Sequence, residues 1–147
     1  MINMIIYLAA DHAGFQLKKK IKKFLVEKGY QTKDFGAFSY DEKDDYPDWI
    51  KLAAEKISKN PSDRAIILGG SGQGEAMVAN RYKNVRAAVL YKYDKDIIKL
   101  SREHNNANVL ALGARFLKEK DALKAVELWL STAFSGEERH KRRIAKF

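Results

Sequence analysis

Five strand candidates alternate along this chain with segments of helical hydrophobic spacing, and that alternation leaves few folds open to it. Met4–Ala10 is a near-continuous apolar run, the mark of a strand buried on both faces. Tyr30–Phe35, Ala65–Leu68, Val85–Tyr91 and Asn108–Leu112 follow as further strands. Between the first two, Phe15–Lys28 carries Leu17, Ile21, Phe24 and Leu25 at helical intervals, with Gly29 just past its end as a stop. Pro47 opens a second helix reaching about Lys59, and Asn60-Pro61-Ser62-Asp63 breaks the chain after it. Further helices are expected over Glu75–Arg81, Asp94–His104 and Lys118–Leu130. Ile97, Ile98 and Leu100 are expected to point inward from one of them, and Ala122, Val126 and Trp129 from another. The basic tail Glu137–Phe147 reads as a short sixth helix, and the Lys18-Lys19-Lys20 and Lys22-Lys23 run as the wet face of the first.

Strands that alternate with helices form βαβ units, a parallel sheet and helices on both faces. The expected fold class is therefore α/β: a doubly wound, Rossmann-like sandwich with a five-stranded parallel sheet and a C-terminal helix. Its 147 residues suit a single domain spanning residues 1–147, with no linker or repeat to divide it. In such sheets ligands bind at the carboxyl ends of the strands, near the point where strand order reverses. Asp11-His12, the Gly69–Gly74 loop and Gly113 with Arg115 all fall just after strands, so one edge of the sheet collects three polar clusters.

Composition removes several chemistries. Cysteine is absent, which excludes a disulfide framework, a thiolate metal site and a cysteine nucleophile. His12, His104 and His140 show no paired-ligand spacing, so no metal and no cofactor is expected. No run is long enough to span a membrane and no basic leader is present, which makes the cytoplasm the expected location. The net charge of +9 draws anions: nucleic acid, anionic lipid or phosphorylated metabolites. The chain lacks an RNA-recognition consensus and interleaved stacking aromatics. A nucleic-acid-binding module using the basic tail is thus a minor alternative, as is a non-catalytic phosphate-binding protein.

The loop Gly69-Gly70-Ser71-Gly72-Gln73-Gly74 is the most informative segment. Glycine at this density lets the backbone approach a ligand closely, and the helix that follows points unpaired N–H groups towards negative charge. It is neither a Walker loop nor GxGxxG; a tight turn with no ligand is the plainer alternative. Glu75, in the first helical turn, reads equally as a dipole complement and as a general base beside an oxyanion-binding loop. The helix end would keep it ionised and burial would oppose that. Asp11-His12 is either a capping turn or part of a site. His104 is either a complement to its helix end or an acid–base group, its reference pKa being about 6.5. Arg139 and Arg143, four apart, share one helix face and would suit a phosphate; a solvated tail is the alternative.

Ala10-Asp11-His12-Ala13-Gly14, Gly69 through Glu75, Ser101-Arg-Glu-His-Asn-Asn106 and Arg139-His-Lys-Arg-Arg143 together resemble the ribose-5-phosphate isomerase B family, which includes allose- and galactose-6-phosphate isomerases. The similarity spans essentially the whole chain. It implies an aldose–ketose isomerase that interconverts ribose 5-phosphate and ribulose 5-phosphate through a cis-enediolate, with a six-carbon sugar phosphate as the alternative substrate. The family has a cysteine-base version, with cysteine at the position of Gly69, and a glutamate-base version, with glutamate at the position of Glu75; this chain is similar to the second. The resemblance implies that His104, helped by Asp11, opens the sugar ring and that Glu75 moves a proton between C2 and C1. Ser71 and the N–H groups of Gly70, Gly72 and Gly74 would stabilise the oxyanion, and Asn105 would bind sugar oxygens. His12, Arg115, Arg139 and Arg143 would hold the phosphate. It also implies a homodimer or dimer of dimers, with sites shared between subunits. The chain ends at Phe147, where many relatives run further.

Overall fold

The computed structural model describes residues 3–147. Its five strands are β1 (Ile5–Ala10), β2 (Gln31–Asp34), β3 (Arg64–Gly69), β4 (Ala87–Leu90) and β5 (Val109–Gly113). Its helices are α1 (Phe15–Glu27), α2 (Tyr46–Lys59), α3 (Gln73–Ala79), α4 (Lys95–Glu103), α5 (Glu119–Ser131) and α6 (Glu138–Ile144). All strands pair in parallel, in the order β2-β1-β3-β5-β4. This is the α/β sheet expected from the alternation of elements. The order reverses between β1 and β3.

The continuous apolar runs are explained by burial on both faces. Ile6, Leu8 and Ala10 of β1, Ile66 and Leu68 of β3, and Leu110 and Leu112 of β5 join one core with Ile21 and Leu25 of α1, Ile98 of α4 and Ala122, Val126 and Trp129 of α5. The alternate residues Tyr7, Ala9, Ala65, Ile67, Val109 and Ala111 join a second core with Ile50, Ala53, Ala54 and Ile57 of α2 and Ala76 and Ala79 of α3. Successive strand residues point to opposite faces, so a strand between two helical layers has no polar position to offer.

Two expectations fail in the helices. Of the three residues expected to face inward from α4, only Ile98 is buried; Ile97 and Leu100 are exposed. They lie on the helix beside β4, an edge strand paired only with β5, so no neighbouring strand or helix covers them. Lys18 is not on the wet face of α1 but 1% exposed. Its Nζ donates to Asp34 Oδ1 at 2.7 Å and to the Ala37 carbonyl at 2.6 Å. Burial lowers the proton affinity of this ammonium, and the hydrogen bond and charge of Asp34 offset part of that. Asp34 Oδ1 also accepts from Gly36 N at 2.8 Å. The segment held this way bonds to β1, with Ala10 N donating to the Gly36 carbonyl and Ala37 N to the Ala10 carbonyl. Lys18 thereby secures the loop that flanks the end of β1.

Removing one partner of a buried ion pair is costly because the other charge is left uncompensated. Asp34 would keep Lys22 at 3.6 Å, so Lys18→Ala is expected to lower unfolding free energy by about 3 kcal/mol, the low end for such a loss. Urea titration followed by circular dichroism measures this, and an unchanged midpoint would show that the pair anchors nothing.

Candidate functional site

The strand ends on either side of the order reversal supply the site. β1 ends into Asp11, β3 into the Gly69–Gly74 loop, and β5 into Gly113 and Arg115. Asp11, Tyr46, Gly70, Ser71, Gly74, Glu75, Arg115 and Phe116 line one open cleft of about 450 Å³. The three polar clusters expected on one edge are therefore neighbours in space.

The glycines have specific steric reasons. Gly72 has φ +81°, and a Cβ there would press on the Ala111 carbonyl oxygen at 3.0 Å; only glycine accepts both conditions. At Gly69 a Cβ would run into the carboxylate of Glu75. The missing side chain at Gly69 is thus the space that the Glu75 carboxylate occupies, and a side chain at position 69 would compete with it. A Cβ at Gly70 would come within 3.0 Å of an Arg115 guanidinium nitrogen, which places that cation over the loop. At the start of α3 the Gln73 N–H donates to Ser71 Oγ at 3.4 Å, and the N–H groups of Gly72 and Glu75 face the Glu75 carboxylate.

Glu75 is 4% exposed. Burial raises its proton affinity above the ordinary value of 4.5. The N–H of Glu75 itself opposes the rise, the charge of Asp11 adds to it, and the N–H of Gly72 opposes it. The contest between helix end and burial, open in the sequence, goes to burial. Asp11 acts first as a turn former: its Oδ1 accepts from Ala13 N at 2.9 Å and Gly14 N at 3.3 Å.

Beside Asp11, Asp44 Oδ1 sits 2.8 Å from His12 Nδ1. Ligand atoms of Asp11, His12 and Asp44 lie within 4.8 Å of one another, but Asp11 is engaged by backbone N–H groups and Asp44 by His12 and by Trp49 Nε1. The chemistry of the group is that of a hydrogen-bonded network rather than a cation cage. Asp44 and Tyr46, which borders the cleft beside Gly74, were missed in the sequence because their segment reads only as a polar loop. Their one signal is the clustering of Asp44, Asp45 and Tyr46 immediately before Pro47.

His104, Asn105, Arg139 and Arg143 are placed elsewhere. α4 starts beyond the carboxyl end of β4 and returns towards the start of β5, so His104 at its end lies at the amino edge of the sheet. The five residues of β5 put the two edges roughly 16 Å apart at ~3.3 Å per residue. Arg102 builds this second cluster: its guanidinium, 3% exposed, donates to the Thr132 and Ala107 carbonyls and to Asn106 Oδ1. That ties the turn after α4 to the segment leading into α6. Burial and the charges of Arg64 and Arg86 lower the Arg102 pKa to about 10, which keeps it cationic. α6 then stacks His140 on His104, centroids 4.2 Å apart. His140 is buried, and burial first, then His104 and Arg139, lower its proton affinity. Arg139 and Arg143 are exposed on α6, with Arg139 Nε 3.3 Å from Glu137. One chain therefore does not bring all the expected residues together.

Folding raises the proton affinity of Glu75, so the native state holds more protons than the unfolded chain between pH 4.5 and the raised value. Stability contributed by the neutral form is full below pH 4.5 and is lost as pH climbs through the raised value. Glu75→Gln is therefore expected to melt above the parent at pH 7–8, with the gap closing below the ordinary carboxyl value. Calorimetry across pH tests this; a variant less stable at pH 8 would contradict it.

Comparisons with known proteins bear on the same residues. A family model described as Ribose/Galactose Isomerase matches residues 6–147. Ribose-5-phosphate isomerase B of Mycobacterium leprae is 41% identical over 144 residues, covering 98% of this chain and 88% of that protein. The crystal structure of ribose-5-phosphate isomerase B from Mycoplasma genitalium with bound ribulose-5-phosphate matches with a TM-score of 0.94 at 39% identity, over 99% of this chain and 95% of that one. The isomerase from Thermotoga maritima matches with a TM-score of 0.90 at 42% identity, over 98% and 97%. With the fold, the order of motifs and nearly the full length in agreement, the chain belongs to the ribose/galactose isomerase family, among the relatives named ribose-5-phosphate isomerase B.

Proposed function

We propose that this protein is a metal-free aldose–ketose isomerase that interconverts ribose 5-phosphate and ribulose 5-phosphate in the cytoplasm, as a homodimer with sites shared between copies. The observation that carries the reading is the Glu75 carboxylate: buried, raised in proton affinity, and seated against Gly69 beside an open glycine loop. A base that takes a proton from carbon works best when its affinity is lifted towards working pH.

The reaction runs as follows. His104, with Asp11, opens the furanose ring. Glu75 removes the proton from C2, and the electron pair forms the C1–C2 double bond as the C1 carbonyl oxygen becomes an oxyanion. Ser71 and the N–H groups of Gly70, Gly72 and Gly74 hold that oxygen; loss of one such donor typically costs ~2.7–4 kcal/mol. Glu75 returns the proton to C1, and the O2 hydrogen passes to O1, leaving the ketose. Asn105 orients the sugar hydroxyls, and His12, Arg115, Arg139 and Arg143 grip the phosphate. A remote grip of this kind supplies binding energy that positions the reacting carbons.

A second copy of the chain would reconcile the two edges. The free edge strand β4 is flanked by exposed Met77, Tyr91, Ile97 and Leu100, an apolar margin suited to a two-fold contact. A two-fold axis across that edge sets the partner's strands antiparallel to these. In that arrangement a partner's amino edge, which carries His104 and Asn105, would lie on the side of Glu75. The names of the relatives and the ribulose-5-phosphate bound to the Mycoplasma genitalium enzyme support the five-carbon substrate over allose or galactose 6-phosphate.

Assaying all three sugar phosphates side by side tests the substrate. Ribose 5-phosphate should be turned over with the highest kcat/KM, and preference for a six-carbon sugar would replace this reading. Glu75→Gln and His104→Ala should each be nearly inactive. When the two are unfolded and refolded together, a randomly paired two-fold dimer should recover about one quarter of parental activity, because half the dimers carry one intact site of two. No recovery would refute the shared site. Arg139→Ala should chiefly raise KM, and an unaltered KM would remove it from the phosphate grip.

A further inference from the structure

Asp44 has no role in the reaction described above, yet both its carboxylate oxygens are engaged, next to Asp11 of the cleft. Oδ1 accepts from His12 Nδ1 at 2.8 Å and from His12 N at 3.2 Å. Oδ2 accepts from the indole Nε1 of Trp49, on α2, at 3.2 Å. Its own backbone is fixed as well, with Asp44 N donating to the Asp41 carbonyl. Its side chain is largely shielded, at 8% exposure. A carboxylate next to the His12 phosphate grip proposed above would work against anion binding unless it serves a neighbour. The neighbour it contacts is His12, at two atoms.

The chemistry of that contact dictates the ring's state. An ionised carboxylate is only an acceptor, so Nδ1 carries the hydrogen in the bond to Asp44. The second bond, to the His12 N–H, fixes the backbone from which the ring projects. The ring of Tyr40 stands edge-on to the imidazole, with centroids 6.1 Å apart. Among the described residues Nε2 has no hydrogen-bond partner. The imidazole therefore has one polar atom left to offer.

We propose that Asp44 is a positioning residue for phosphate binding: it accepts from His12 Nδ1–H and the backbone N–H so that Nε2, which takes up a second hydrogen when phosphate binds, is the donor aimed at a phosphate oxygen. This rests on the reading of His12 as a phosphate ligand. Asp44 itself touches no part of the substrate. Its effect is on grip rather than chemistry, and it operates across 32 residues of sequence.

The test compares the parent enzyme with Asp44→Ala, Asp44→Asn and His12→Asn. Asp44→Ala should raise both KM for ribose 5-phosphate and the inhibition constant of inorganic phosphate about tenfold, the loss expected for one misaligned charge-assisted hydrogen bond, with a much smaller change in kcat. Asp44→Asn keeps an oxygen for Nδ1–H and should recover most of the loss, which also answers whether the alanine variant is merely misfolded. Nitrogen-15 spectra of the three histidines, with His12 assigned through His12→Asn, should show the Nδ1–H form in the neutral parent and in Asp44→Asn. The Nε2–H form should appear in Asp44→Ala.

The inference is overturned if Asp44→Ala leaves KM and phosphate inhibition unaltered, if it lowers kcat alone, or if neutral His12 of the ligand-free parent carries its hydrogen on Nε2. Failure of the isomerase reading is distinguishable. A parent that turns over no sugar phosphate still reports its His12 tautomer and its inorganic phosphate binding by the same spectra. If His12→Asn then binds phosphate as the parent does, the role of Asp44 falls with that of His12.

Discussion

Parallel strands give this sheet two edges of different character. Every strand enters from one edge and leaves at the other, so loops that follow strands and turns that precede them are held a strand length apart. Both layers of helices depend on this direction, because each connection must cross from the carboxyl edge back to the amino edge. The consequence for the candidate site is geometric. Asp11, the glycine loop, Glu75 and Arg115 gather at the carboxyl edge, while His104, Asn105 and α6 gather at the amino edge. No side-chain rotation spans that separation. The second copy in the proposed reaction answers that separation, and exposed apolar residues lie near the edge strand β4.

Within the carboxyl-edge half, the decisive relation is between a missing side chain and a charged one. Glycine at position 69 lets the Glu75 carboxylate lie against the end of β3, out of water, beside Asp11. Two influences on Glu75 then oppose each other. The N–H groups around it favour the ion, and lost hydration together with Asp11 favours the acid. A carboxylate placed a few ångströms further out would be an ordinary surface ion. The glycines of the loop thus serve the proposed base by allowing its burial, as well as allowing the approach of a ligand.

Much of the fold was legible because it rests on local periodicity. The apolar runs became strands with ends shifted by a residue or two, and α5 buried Ala122, Val126 and Trp129 as its spacing required. The errors have a common origin. Ile97 and Leu100 have the spacing of inward residues, but the sheet stops at β4 and leaves them uncovered. Lys18 stands in a run of lysines, and only the approach of Asp34 and Ala37 makes its position an interior one. At the site, the strand-end motifs were readable because chemistry and location coincide there. Asp44 and Tyr46 were not, because an acidic loop has no periodicity from which to infer its path.

The sequence by itself determined the order of elements, their two-sided burial, the glycine-dense loop before α3 and the family likeness of its motifs. Each of these is carried by residues close together in the chain, where spacing and composition suffice. Tertiary structure alone decided the direction of the shift at Glu75, the burial of Lys18, the engagement of His12 by Asp44 and the division of the candidate residues between two edges. Those outcomes depend on groups that meet through space from distant positions, and on how much water remains between them. Neither quantity is written in the order of residues.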